Sequence, residues 1–227
     1  MPLFAATLAA IAIICLAQDN SQTKTSKKIQ FPPPNLTSPV SLEQTMANRR
    51  STRQFSDQPL TLEQIGQLAW AGQGITDPAT GFRTAPSAGA LYPIKLYFAK
   101  KEGLSVYNPL EHTLEEILSL DIRERLRAAA LQQDPVASAP CCIIIAGSAR
   151  KLAPKYGPKA RRYMLLEAGH IAQNILLQAT ALKLASVPIG AFDIINVRKI
   201  CRLPSNTEPL YIICVGYPAG QPAITTE

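Results

Sequence analysis

The amino-acid sequence predicts an α+β fold built around one modest sheet. Two short, continuous apolar runs, at 141–146 and 210–215, are typical of buried strands. A much longer segment, 159–183, has helical character and is apolar on nearly all sides, which indicates a helix buried all round. Helices and short strands alternate without regular repeats of βαβ length, and this irregular alternation favours the α+β class.

The elements follow from local signals along the chain. Ser41 and Thr61 each stand three residues before a glutamine, the capping-box pattern, so a helix is predicted to begin at each. The second helix is expected to end near Gly72 or Gly74. The remaining predicted elements are strands at 94–98 and 104–107, one or two helical turns at 114–120 and a helix within 121–133.

Composition sets the class of protein. The chain has 227 residues, of which 47% are hydrophobic and 17% charged, enough for one folded domain with a sizeable core. Lys and Arg number 23 against 16 Asp and Glu, a net charge of +7 that suits either nucleic acid or a phosphorylated ligand. No basic motif interleaved with aromatic residues is present, so nucleic-acid binding is not expected.

The cysteines and histidines do not form a metal-binding pattern. The five cysteines show no Cys-x-x-Cys spacing, and the two histidines, His112 and His170, are far apart in sequence. We therefore expect no metal, and we interpret the cysteines as small buried hydrophobic residues outside any disulfide framework.

The N-terminal region differs in composition from the rest. Residues 3–17 form an uncharged apolar run with the length of a signal-peptide core, so 1–17 is predicted to be a leader for export. The alternatives are that this run is an uncleaved membrane anchor or that the start codon is mis-assigned. If the leader prediction is wrong, the protein would be cytoplasmic. Residues 18–40 are polar and proline-rich and are predicted to be a flexible arm. The folded domain is expected at 41–218, with a tail at 219–227.

A cluster of basic and hydroxyl residues follows the first predicted helix. Arg49, Arg50, Ser51, Thr52 and Arg53 place three guanidinium groups and two hydroxyls within five residues. Such a set can direct many hydrogen-bond donors onto one phosphate dianion. A solvated basic surface is the alternative for this segment taken alone.

Two segments of small residues are suited to a flat ligand. In the loop 85–93 (APSAGALYP), small side chains would let such a ligand lie against backbone N–H groups and the Ser87 hydroxyl. The segment 187–193 (VPIGAFD) could offer the amides of Gly190 and Ala191 to a ring acceptor. A plain turn before a strand is the alternative for the loop 85–93.

Taken in order, these motifs resemble the FMN-dependent nitroreductase family over residues 46–218. Within that range, the loop 86–93 (PSAGALYP), the segment 107–112 (YNPLEH) and the segment 165–174 (LLEAGHIAQN) are similar to its SagB-type branch. That branch includes the azoline dehydrogenases of peptide natural-product pathways.

The resemblance implies a nitroreductase-like fold, with a central mixed or antiparallel sheet flanked by helices. It also implies an intertwined homodimer with the long helix at its interface and one FMN at each end of that interface. By position, the phosphate and ribityl contacts would be Arg49, Arg50, Ser51 and Arg53. The loop reaching the flavin from the other subunit would contain Pro86, Ser87 and Ala88. The segment facing the flavin ring near N5 would be Pro188, Ile189, Gly190 and Ala191.

The function implied is hydride transfer through FMN between a reductant, with NAD(P)H one candidate, and a small nitro or quinone acceptor. Two alternatives remain open. One is an azoline dehydrogenase acting on a peptide, in which Lys155 and Tyr156 would handle the proton. The other is a flavin-binding module without turnover. The chain departs from many family members in having no Lys or Arg after Arg202, so either the early arginines would carry the phosphate or FMN would bind more weakly.

Overall fold

A computed structural model describes residues 27–220, which form a seven-stranded antiparallel sheet flanked by helices. The strand order is β1-β6-β5-β4-β7-β9-β8, and β2 and β3 form a separate antiparallel pair. The strands are β1 (Lys28–Gln30), β2 (Ile75–Asp77), β3 (Phe82–Arg83), β4 (Ile94–Lys100), β5 (Gly103–Asn108), β6 (Thr113–Leu118), β7 (Cys141–Gly147), β8 (Ala185–Ile189) and β9 (Glu208–Gly216). The α+β class and the antiparallel sheet are thereby confirmed.

Helices cover both faces of the sheet. They are α1 (Leu42–Asn48), α2 (Leu62–Gln73), α3 (Arg123–Ala129), α4 (Pro135–Ser138), α5 (Ala153–Tyr156), α6 (Ala160–Ala181) and α7 (Ile194–Ile200). Alternate residues of β7 enter different cores: Ile143 packs in the cluster with α2 and α6, and Ile144 in the cluster with α3 and α7. Because β7 is buried on both faces, its sequence is continuously apolar instead of alternating.

Both predicted capping boxes are present. The Ser41 hydroxyl accepts from the Gln44 amide at 3.2 Å, and the Gln44 side chain accepts from the Ser41 amide at 3.0 Å. Thr61 and Gln64 exchange the same two bonds at the start of α2. That helix ends at Gln73, with Gly74 as its C-cap. Each bond satisfies an amide that the first helical turn would otherwise leave unpaired.

The long helix α6 lies where the apolar segment predicted it, but within one chain it is buried on one side only. Met164, Ile171 and Ile175 point into the core, while Leu165 and Leu166 remain exposed on the opposite side. The exposed apolar side is therefore available for contact with another chain.

One predicted element has the wrong type. The expected helical turns at 114–120 are instead strand β6, which pairs with β5 on one side and β1 on the other. Leu and Glu are good helix formers, but the hairpin with β5 and the buried side chain of Leu114 outweigh that preference.

The predicted flexible arm is also wrong from Lys28 onward. Residues 28–30 form β1, and Phe31 is buried in the core beside α2, where the Gly66 Cα has no side chain to displace its ring. Further along, Asn35 exchanges two backbone hydrogen bonds with the Gln67 side chain, at 2.8 and 2.9 Å. The domain therefore begins before residue 41.

Other predictions concern cysteines and the two ends of the chain. Cys141, Cys142, Cys201 and Cys214 are buried free thiols, as expected. The predicted leader, the first part of the arm and the tail from 221 lie outside the described residues. Within 27–220, there is no helix long and apolar enough to cross a membrane, and no cluster of three or more metal-ligating side chains.

Candidate functional site

The basic segment after α1 lies beside the edge strand β8. Ser51 forms a parallel bridge with Ser186, and the Thr52 amide donates to the Ser186 carbonyl at 3.0 Å. These contacts hold the arginine segment at the start of β8, and the segment with Gly190 follows the end of the same strand. At about 3.3 Å per residue, the four residues from Ser186 to Gly190 span about 13 Å. An elongated ligand could contact both segments.

The three arginines do not play the same part. Arg50 Nη1 donates to the carbonyl oxygens of Ala47 and Arg49, at 3.0 and 2.8 Å, and so satisfies acceptors at the end of α1. The side chains of Arg49 and Arg53 have no hydrogen bond or ion pair with any described residue. Two of the predicted phosphate contacts thus have unused donors, while Arg50 has a structural partner already.

The segment predicted to face a ring is accessible. Gly190 and Ala191 are both exposed and follow Ile189, whose partner Ile212 is the last in the β8–β9 ladder, while Pro188 is half-buried. The Ala191 carbonyl accepts from Gln133 Nε2 at 2.8 Å, which anchors the turn from outside the strand. The backbone at this point is both exposed and held in place.

The loop 85–93 is shaped by its own side chains. Its short 3₁₀ turn, Ala88–Ala90, includes Gly89 at φ +61° and Ala90 at φ +53°. Ser87 Oγ donates to Glu167 Oε2 at 2.5 Å and accepts from the Tyr92 amide at 2.9 Å. The Ser87 hydroxyl, predicted as a ligand contact, thus ties the loop to α6, whereas Pro86 remains exposed.

Lys155 and Tyr156 meet the same loop from α5. A methyl group added at Gly89 would lie 2.8 Å from Tyr156 Oη and 2.9 Å from Lys155 Nζ, so both polar ends converge over the Gly89 backbone. The Tyr156 ring packs edge-on against Tyr163 of α6, with centroids 5.0 Å apart. The pair is therefore positioned against the loop and does not form a free surface turn.

Glu167, in the middle of α6, is a residue for which the sequence predicted no role. The residue is only 2% exposed, and burial raises its pKa to about 7, against the opposing effect of the hydrogen bond from Ser87 and of the nearby Gln73 side chain. Arg83 and Lys151 are near enough to favour the charged form further. The sequence did contain a signal for this residue, an acidic side chain within a largely apolar helical segment. A carboxyl group that is buried in such a helix needs polar partners.

Comparison with known proteins shows which family the chain belongs to. The sequence model of the nitroreductase family matches residues 46–217, which contain the arginine segment, the loop 85–93 and β8. The chain belongs to the nitroreductase family. A Methanocaldococcus jannaschii protein described as a provisional nitroreductase is 37% identical over 183 residues, covering 78% of this chain and 91% of its own length.

Solved nitroreductase structures share the fold. A provisional nitroreductase from Ralstonia eutropha superposes with a TM-score of 0.79 at 27% identity, covering 87% of this chain and 92% of that one. A second from Anabaena variabilis gives 0.74 at 26% identity, covering 85% of this chain and 42% of that longer one. The NADPH:FMN oxidoreductase of Vibrio harveyi gives 0.60 at 22% identity, covering 82% and 72%, and shows the fold alone.

Proposed function

We propose that this nitroreductase-family oxidoreductase uses FMN to pass reducing equivalents from a reductant to a small acceptor. The observation that carries the proposal is a pair of arginines, Arg49 and Arg53, whose side chains have no partner among residues 27–220 and which lie beside a strand that leads to the exposed Gly190 turn. Cationic donors suit a phosphate, and exposed amides suit a ring acceptor. FMN would supply hydride transfer at its N5 atom.

The protein's part in this chemistry is binding and orientation. Arg49, Arg53 and the Ser51 hydroxyl would hold the phosphate end, and the amides of Gly190 and Ala191 would face the ring. We further propose a homodimer in which the exposed side of α6 packs on its partner. The loop with Pro86 and Ala88 would then complete the partner's site.

The absorbance spectrum of the purified protein tests the cofactor. Flavin bands that remain with the protein through gel filtration, and released cofactor that is FMN, are expected. Anaerobic NADH or NADPH should then bleach the bands, and a quinone should restore them. Flavin bands that persist with both nucleotides and with biological electron donors of other classes would favour a flavin-binding module without turnover.

The position of Lys155 and Tyr156 favours a second candidate, an azoline dehydrogenase acting on a peptide. Oxidation of an azoline ring to an azole removes a hydride and a proton, and the Lys155 amine could accept that proton while Tyr156 orients it. The convergence of both side chains over Gly89, in the loop proposed to meet the flavin, supports this reading.

Lys155→Ala and Tyr156→Phe separate the two candidates. If the pair serves azoline oxidation, both variants lose oxidation of a thiazoline-containing peptide but keep FMN and quinone reduction. Unchanged rates on every substrate would leave the pair with a structural role only. Reduction of a quinone is the matched control because it requires no base on the protein.

A further inference from the structure

The sheet divides between β4 and β5. These strands pair from Lys100 with Gly103 as far as Tyr97 with Val106, and no pairing continues beyond that point. The next residues of β4 remain paired with β7 alone, and the next residues of β5 with β6 alone. A cavity of about 250 Å³ occupies the fork between them.

Three cationic side chains line this fork: Arg83 from β3, Lys95 from β4 and Lys151 from the turn before α5. None of them forms an ion pair with a described residue. Lys151 Nζ donates to the Tyr92 carbonyl, at 3.0 Å, and to no other residue that the structure describes. Two carboxyl groups lie nearby, Glu115 in the lining and Glu167 behind it.

Neither carboxyl group neutralises the charge of the three cationic side chains. Glu115 accepts from Asn108 Nδ2 at 3.0 Å, and its charge also acts on Lys28. Glu167 accepts from Ser87, and a pKa of about 7 leaves it roughly half protonated at neutral pH. The fork is therefore positively charged.

One edge of the Arg83 guanidinium has no hydrogen-bond partner among the described residues. Its Nη1 donates to Gln73 Oε1, and its plane lies over the Tyr92 ring with Cζ 4.4 Å from the ring centroid. Its Nε is buried without a partner, and its Nη2 forms no hydrogen bond among the described residues. The Nε–Nη2 edge presents two parallel donors, the arrangement that a carboxylate binds with both oxygens.

We propose that the fork cavity binds the carboxylate group of a small organic acid, or of a larger acidic substrate. Arg83 would hold both oxygens, and Lys151 and Lys95 would add charge. The cavity also has apolar walls from Ile94, Leu96 and Val106, which suit the carbon part of an organic acid better than a bare inorganic ion.

The electrostatics and the position of the fork support this site. Burial lowers the pKa of Arg83, and burial together with the charge of Arg83 lowers the pKa of Lys151. A bound anion would therefore stabilise the charged forms of both side chains. The fork is also separate from the proposed phosphate contacts, because β4 and β8 have β7 and β9 between them in the sheet. Tyr92 and Lys151 nevertheless connect it to the loop 85–93 and to α5.

Calorimetric titration of the full-length protein with butyrate tests the proposal. Butyrate should bind with one site per chain, and its uncharged analogue butyramide at least about tenfold more weakly. Lys151→Gln should weaken butyrate about tenfold. Arg83→Lys should do the same although it keeps the charge, because an ammonium cannot present two parallel donors.

Lys199→Gln is the matched control, since Lys199 is an exposed lysine on α7 that forms no ion pair with a described residue and does not line the fork. It should leave butyrate affinity within twofold of wild type. Equal binding of butyrate and butyramide, or full butyrate affinity in Lys151→Gln, would overturn the proposal. Tighter binding of inorganic phosphate than of butyrate would overturn its assignment to a carboxylate. FMN content, measured on the same samples, reports on the proposed flavin function independently.

Discussion

Arg49 and Arg53 differ from Arg50 in what their guanidinium groups already contact. Arg50 donates to carbonyl groups at the end of α1, whereas the other two side chains donate to no residue in the described part of the chain. A charge-assisted hydrogen bond is worth about 1.5–3 kcal/mol, so Arg53→Ala should weaken FMN binding roughly tenfold or more. Quenching of flavin fluorescence during titration of the apoprotein measures this.

Arg50→Ala provides the comparison for that experiment. It removes the same charge, but from a side chain with a structural role, so the loss of FMN affinity should be clearly smaller and the loss of stability larger. If Arg49→Ala with Arg53→Ala retains wild-type affinity, the phosphate is bound elsewhere.

Glu167 should make stability depend on pH. Burial raises its pKa from an ordinary 4.5 to about 7, so between these values the folded state holds a proton that the unfolded state has lost. The stability contributed by this proton is complete below pH 4.5 and is lost as the pH rises through 7. From pH 5.5 to 8 the loss should be on the order of 2 kcal/mol, measured by urea unfolding.

Glu167→Gln is the control, because glutamine can still accept from Ser87 but does not titrate. Its free energy of unfolding should change less than that of wild type over the same pH range. Parallel curves for the two proteins would show that Glu167 ionises normally.

At the scale of single elements, the loop 85–93 has a glycine, Gly89, at a position where two features of the structure disfavour a side chain. Gly89 has φ +61°, and any Cβ would touch Tyr156 Oη and Lys155 Nζ. Gly81 has a similar φ of +73°, yet, its chain neighbours apart, no atom of the described residues lies within 4 Å of the position that a Cβ would take. Gly81→Ala should therefore lower the free energy of unfolding only by the cost of a positive φ for alanine, about 1 kcal/mol.

Gly89→Ala should cost at most about 1 kcal/mol more than Gly81→Ala, because the atoms in contact are the ends of the Lys155 and Tyr156 side chains, which can turn away from the loop. Thermal unfolding of the two variants measures the difference. Gly89→Ala should also reduce any activity that depends on Lys155. Equal destabilisation by the two changes would mean that Lys155 and Tyr156 move aside freely.

Local signals account for the elements that the sequence predicted correctly. The capping boxes at Ser41 and Thr61 and the apolar run of β7 depend on neighbouring residues only. Strands β1 and β6 were missed because their pairing is set by partners elsewhere in the chain and by the burial of Phe31 and Leu114.

The candidate site divides in the same way. The arginine segment and the loop 85–93 could be found as short motifs, but the different bonding of Arg50 could not. Nor could the link from Ser87 to Glu167, since it joins residues that only the packing of α6 against the loop brings together.

At the scale of the whole molecule, the two halves of the proposed flavin site lie on different strands. The arginine segment accompanies the edge strand β8, while the loop 85–93 leads into β4, with β7 and β9 between them. A single chain thus places these segments apart. A second copy, packed through α6, would let each subunit supply one half of a site.

The exposed side of α6 is where that dimer can be tested. Leu166 is 53% exposed on this helix, and a charge there would be buried in the proposed interface. Leu166→Glu should therefore convert a dimer to monomers, measured by light scattering, and should release FMN if both subunits contribute to each site. Leu110→Glu is the control, because Leu110 is 81% exposed in the turn between β5 and β6, away from α6, and should leave both the dimer and the flavin intact. A wild-type protein that is monomeric and fully loaded with flavin would contradict the shared site. A Leu166→Glu protein that remains a flavin-loaded dimer would place the interface on another surface.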